Sequence, residues 1–156
     1  MASTSEIKTG IRVIPPVLFG AALVIAVLAN WIFPVQMFPD FLRFWFGPIV
    51  LTASLVIIVP SIVVFKRAKT PFDVRRAATA LVSEGPFRYS RNPGYVALIS
   101  LCIGIAMIVD NVFMLVTVAI ATAYLQRFVV LAEERHMEAQ FGEEYLEYKR
   151  KVRRWL

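Results

Sequence analysis

The sequence predicts an all-α integral membrane protein: four transmembrane helices, a cytoplasmic connection between spans 2 and 3, and a C-terminal amphipathic helix. Three observations predict it. Hydrophobic residues make up 58% of 156 positions and mean hydropathy is +0.66, above the roughly 45–50% apolar content of soluble domains, so much of the surface must face lipid. Four long apolar runs divide the chain, and the basic residues gather between the second and third runs and after the fourth. The length leaves room for one domain, 1–156.

The elements follow in order. A polar start, Met1 to Thr9, is expected to be disordered. Pro15 to Phe33 and Gly47 to Phe65 are each nineteen residues without a charge, enough to cross a hydrocarbon core of about 30 Å at about 1.5 Å per residue. No small-x-small cleavage pattern closes the first run, which reads as a retained anchor rather than a signal peptide. The third span, about 94–109, is short or tilted, and the fourth runs over about 112–130 with Arg127 near its end; Asp110-Asn111 between them is a tight polar turn. The tail then places Met137, Phe141, Tyr145, Tyr148, Val152 and Trp155 at helical spacing, with Gly142 as a bend and Lys149, Arg150, Arg153 and Arg154 opposite. That pattern suits a helix lying on an anionic membrane surface.

Basic residues set the expected orientation, because Lys and Arg stay on the cytoplasmic side in short loops. Only Arg43 falls in the two turns that would lie outside. The connection carries Lys66, Arg67, Lys69, Arg75, Arg76, Arg88 and Arg91, and the tail six more, so both termini are expected in the cytoplasm of a bacterial inner membrane or on that face of an endoplasmic reticulum. The net charge of +6 is then a matter of orientation and of anionic membrane lipids as partners, and no nucleic-acid module is present. The lone Cys102 excludes an internal disulfide framework and a cysteine zinc site, and no metal is expected. The spans hold no Asp, Glu, Lys or His in their middles, which disfavours an ion-coupled carrier.

The polar chemistry gathers before the third span and after the fourth, which are neighbours if both ends of the hairpin face the cytoplasm. In GPFRYSRNPGY, Gly85 to Tyr95, Asn92 suits a helix cap and Pro93 the first helical position. The open amides of that helix start suit a carboxylate, although the tripeptide Asn92-Pro93-Gly94 also reads as a helix start and nothing more. Glu133-Glu134 stands where the fourth span leaves the membrane, and desolvation there requires a positive partner: Arg88, Arg91, Arg127 or a cationic ligand. An acidic pair beside a helix entrance matches the positive charge and the carboxylate of an amino-acid-like sulfonium cofactor.

The run ALVSEGPFRYSRNPGY, followed about forty residues later by EERHMEAQFGEEYLEYKRKVRRW, resembles the isoprenylcysteine carboxyl methyltransferase and phospholipid methyltransferase superfamily of integral membrane enzymes. Its pattern runs G-P-[FY]-[RK]-x-x-R-H-P-x-Y, a helical hairpin, then E-E-x-x-L-x-x-x-[FY]-G-x-x-Y-x-x-Y and a basic V-x-R; the likeness extends from about Thr70 to Trp155. It implies S-adenosylmethionine as cofactor, held on the cytoplasmic side by about 83–95 and 131–155, and a lipophilic or lipid-linked substrate entering from the bilayer. Residue by residue it implies binding roles for Arg91, Asn92, Pro93, Tyr95, Glu133, Glu134, Tyr145 and Tyr148, with Arg154 matching the terminal arginine. Tyr89, like Phe87 and Tyr95, could stack on adenine or meet the sulfonium by cation–π contact; an interfacial aromatic belt is the alternative.

Two departures stand out: Asn92 replaces the usual histidine, exchanging a titratable ring for an amide, and Met137 replaces leucine. His136 matches no family position and is expected on the surface. Methyl transfer from a sulfonium asks the protein mainly for positioning and desolvation. A carboxylate acceptor needs a cation, with Arg88, Arg91 and Arg154 as candidates; an amine needs a base, for which Glu134 is placed. Arg91, Glu134 and Arg154 are therefore the expected catalytic residues, and a carboxylate, amine or thiol acceptor remains open. The alternative is a non-catalytic membrane scaffold or small carrier sharing the fold.

Overall fold

A computed structural model of the protein describes residues 13–69 and 79–156; the polar start and part of the connection, 70–78, with its Arg75 and Arg76, lie outside them. Among the described residues every regular element is helical. Helix α1, Pro15–Ile32, begins with prolines at its first positions, whose fixed φ is already helical and whose missing N–H is no loss there. Its buried residues Phe19, Ala22 and Ala26 form one stripe, and that stripe packs on the fourth apolar helix. Helix α2, Gly47–Arg67, continues from a π-helical turn at Leu42–Phe46, the two making one apolar stretch of 26 residues. Ser54 and Ser61 are buried on it, yet each hydroxyl donates to a carbonyl of its own helix, at Leu51 (2.6 Å) and Ile57 (2.7 Å). No hydroxyl is left to be satisfied by lipid, which cannot do so.

Helix α3, Pro93–Ile108, has sixteen residues and packs chiefly against α2. Two glycines permit the approach: a Cβ on Gly104 would lie 3.0 Å from Leu51 N and 3.2 Å from Gly47 O, so the two backbones meet as small-residue interfaces in membranes do. Helix α4, Val112–Tyr124, runs through a π-helical stretch, Leu125–Val130, into helix α5, Leu131–Phe141, giving a continuous 30-residue helix. Three helices are thus long and apolar enough to cross a membrane and α3 is a shorter apolar one, as expected for the short arm of the hairpin. Cys102 is buried between helices rather than facing lipid.

The tail corrects the sequence reading. Gly142 takes φ +53°, which only glycine adopts at little cost, and is the expected bend, dividing the tail into α5 and helix α6, Glu143–Lys151. The chain is extended at Val152 (φ −121°, ψ 132°), so Val152 and Trp155 do not share a helical face with Tyr145 and Tyr148, and Arg153 and Arg154 lie beyond the helix. Lys149 pairs with Glu138 across the bend.

The two ends of the bundle are built differently. At one end the α3–α4 turn is bolted to the α1–α2 connection: Asp110, at φ +52°, accepts the backbone N–H groups of Met37 (3.0 Å) and Phe38 (2.8 Å), with the Arg43 guanidinium 3.8 Å away. These amide donors, and Arg43 to a lesser degree, hold its carboxyl below the ordinary 3.8. Asn111 caps α4 by accepting from Met114 N and donates to the Ala26 carbonyl of α1 (3.2 Å). At the opposite end lie the entrance of α3, the whole of α5 and α6, and the tail.

Candidate functional site

The turn Gly85–Arg88 is tied down first. Phe87 is buried, edge-on to Phe65 of α2 at 5.2 Å, and its carbonyl accepts the Tyr148 hydroxyl of α6 at 2.7 Å. Ser90 follows, 2% exposed, its oxygen accepting the Asn92 N–H at 3.1 Å in a serine turn. That turn fixes the direction in which α3 begins. The helix start is less open than expected. Asn92 N is bonded to Ser90, Pro93 has no N–H, and Tyr95 N donates to the Asn92 carbonyl, so at most the Gly94 amide remains on offer. The Asn92 side chain does not cap the helix.

Behind this entrance lies a buried ion cluster. Glu134, on α5, is 6% exposed. Its carboxylate accepts from Arg154 Nε (2.8 Å) and Nη2 (2.9 Å) in a bidentate fork, and forms an ion pair with Arg91 Nη2 at 3.2 Å. The Arg91 side chain is 8% exposed, and its Nε and Nη1 are buried without a hydrogen-bond partner. Two guanidinium groups therefore share one carboxylate. The hydrogen bond to Glu134 holds the Arg154 guanidinium above its ordinary pKa. Glu133 is engaged separately, its Oε1 accepting the Tyr95 hydroxyl at 2.9 Å. Tyr145 is buried against the cluster; desolvation raises its phenol, Glu134 adds to the rise and Arg91 opposes it. Burial likewise raises the Tyr148 phenol.

The structure thus brings Arg91, Tyr95, Glu133, Glu134, Tyr145, Tyr148 and Arg154 to one place, with Asn92 and the buried Pro93 at its edge. Of the expected partners for the acidic pair, Arg91 is present, whereas Arg127 lies over the Phe128 ring and Arg88 lines a cleft of about 390 Å³ with Ser83, Glu84 and Gly85. Tyr89 is 76% exposed. His136 is not a plain surface residue: it is half-buried and its Nε2 is enclosed without a partner. Overlooked in the sequence are Ser90 and Gln126, and Trp155 was read there only as part of an apolar helical face. Trp155 Nε1 donates to Gln126 Oε1 at 2.9 Å, and an uncharged polar side chain inside an apolar run is the signal that could have found Gln126.

An uncharacterized protein of Haemophilus influenzae is 34% identical over 62 residues, which are 40% of this chain and 98% of that relative. The phospholipid methyltransferase family matches residues 42–144, a span from the π-helical turn before α2 to just past Gly142 that contains Arg91, Glu133 and Glu134. The chain therefore belongs to the phospholipid methyltransferase family, within the superfamily of isoprenylcysteine carboxyl and phospholipid membrane methyltransferases.

Proposed function

We propose that the protein transfers the methyl group of S-adenosylmethionine to a lipophilic or lipid-linked acceptor at the cytoplasmic face of its membrane. One observation carries the reading: Arg91 is buried beside Glu134 with two guanidinium nitrogens, Nε and Nη1, lacking a hydrogen-bond partner. Buried donors without acceptors are costly and rare, and an anionic group seated there removes the deficit. The carboxylate of an amino-acid-like cofactor is such a group, and Glu133, Glu134 and the Tyr145 ring stand nearby for its cationic part. The donor set therefore fits. When bound, S-adenosylmethionine supplies an activated methyl group and a neutral leaving group.

The chain's own residues then have positioning tasks. Arg91 holds a carboxylate by charge-assisted hydrogen bonds, Glu134 keeps Arg91 and Arg154 in register, and Tyr95 and Tyr148 close the wall between α3 and α6. A carboxylate acceptor needs no base here, and an amine acceptor would give up its proton to an acidic side chain of the pair. Lys66 and Arg67 end α2 at the same end as the site, which supports a cytoplasmic location. Acceptor entry from the bilayer is supported by the many apolar side chains of α1 and α2 left exposed.

Calorimetric titration of the detergent-solubilised protein with S-adenosylmethionine and S-adenosylhomocysteine tests the proposal. Saturable binding that disappears in Glu134→Ala is the expected result. A folded protein that binds neither compound refutes the reading and leaves a scaffold that shares the fold.

A further inference from the structure

Asn92 was expected to face the cofactor; the structure gives its side chain another partner. The extended tail crosses the entrance of α3, and three groups there grip two successive tail carbonyls: Arg91 N donates to Arg153 O (2.9 Å), Asn92 Nδ2 to Arg154 O (3.0 Å) and Ser90 Oγ to Arg154 O (3.3 Å). The same residue whose carbonyl is gripped sends its guanidinium to Glu134. One residue further on, the Trp155 indole is held by Gln126 in the π-helical stretch. Arg154 is thus held by its backbone to α3 and by its side chain to α5.

We propose that Asn92 is a positioning residue for the methyltransferase site, acting through Arg154 rather than by touching the cofactor. The inference rests on the function proposed above. Its chemistry is specific. A carbonyl oxygen only accepts, so the asparagine amide must present its NH₂ to it, which aims the carboxamide at the tail. A long arginine side chain has many rotamers; with its backbone fixed at one point, the bidentate fork on Glu134 forms with less ordering to do. Glu134, so held, orients Arg91, whose free donors are the proposed carboxylate seat. Asn92 therefore reaches the ligand through a chain of three side chains: Arg154, Glu134, Arg91.

The test is a double-mutant cycle with Asn92→Ala, Arg154→Met and the pair, read by calorimetric S-adenosylhomocysteine affinity and by hydrogen exchange of the tail amides without ligand. Removing one hydrogen bond that preorganises the site should weaken affinity about tenfold and speed exchange at residues 153–156. In the Arg154→Met background the further loss from Asn92→Ala should shrink to about twofold or less, as for residues acting in one network. An undiminished tenfold loss in that background would show that Asn92 meets the ligand directly and overturn the proposal, as would unchanged affinity in the single variant. Should Asn92→Ala not fold, Asn92→Asp keeps the shape and turns the donor into an acceptor, with the same expectations. A wild-type protein that binds no S-adenosylhomocysteine refutes the methyltransferase reading and the positioning role with it, whereas binding with no coupling between Asn92 and Arg154 refutes the positioning role alone.

Discussion

Glu134→Gln isolates the charge at the centre of the site, since it preserves shape and one acceptor oxygen. The loss falls unequally on the two arginines. Arg154, with a side chain 31% exposed, can turn to water, whereas Arg91, at 8%, cannot; the other carboxylate nearby, Glu133, is engaged by the Tyr95 hydroxyl. Removing one partner of a buried pair typically costs about 3–5 kcal/mol, and the retained amide oxygen places this case near the lower end. At about 2–4 °C per kcal/mol for a chain of this size, thermal unfolding should fall by roughly 6–12 °C. The matched control is Glu138→Gln. Glu138 pairs with Lys149, but the two side chains are 33% and 37% exposed, and such pairs contribute about 0–1 kcal/mol, so the shift should stay below about 4 °C. Unfolding of both variants followed by tryptophan fluorescence in one detergent decides the matter. Equal shifts would refute the argument that burial, rather than pairing, sets the cost. Adding Arg91→Met to Glu134→Gln removes the stranded cation and should recover part of the lost stability while still lacking S-adenosylhomocysteine binding.

Other outcomes follow from features away from the cluster. Gly104→Ala forces a Cβ to within 3.0–3.2 Å of backbone atoms of α2 and should destabilise by about 1–3 kcal/mol; Gly20→Ala, with nothing within 4 Å, should stabilise by about 0.5–1 kcal/mol, and melting of the two variants checks the opposite signs. Tyr148→Phe leaves the Phe87 carbonyl without its donor and should cost about 1–3 kcal/mol, measurable in the same unfolding assay. The Asp110 carboxyl is held below its ordinary 3.8 in the folded protein, so its contribution is fully present above that value and is lost as pH falls through the lower folded value. Asp110→Asn tolerates the positive φ but has no charge to titrate, so its advantage in acid over the wild type should grow as pH drops; parallel acid-unfolding curves would contradict the assignment.

The spans were legible in the sequence because apolar length is a local property: the expected runs beginning at Pro15, Gly47 and Val112 coincide with helix starts. Ends were less legible. The fourth helix does not stop with its apolar residues but carries Glu133 and Glu134 onward in the same rod, since intrahelical hydrogen bonds are indifferent to hydropathy. The candidate residues could be named from their motifs, and Arg91 from among three possible partners of the acidic pair, yet most of the pairing could not be read. Arg154 had two readings, a lipid-facing cation and a site arginine, and what separates them is a bond to Glu134 twenty positions earlier. Asn92 looked like a cap because capping is a local habit of asparagine; its donor is taken by a carbonyl 62 positions away. Asp110 looked like turn punctuation, and its bonds reach back to Met37 and Phe38.

The unbroken helix from Val112 to Phe141 also serves as a ruler. Glu133 stands 21 residues beyond Val112, about 32 Å along the axis at 1.5 Å per residue, against a hydrocarbon thickness of about 30 Å. With the Asp110–Arg43 bolt set among the polar headgroups of one leaflet, the other end of this ruler would deliver the acidic pair to the opposite headgroup layer with only a few ångströms to spare. Bilayer thickness thereby becomes a variable of the site itself: longer acyl chains would draw the carboxylates toward hydrocarbon, and shorter ones would lift them toward water. A protein built this way would read the depth of its own membrane at the same residues that form the proposed ligand site.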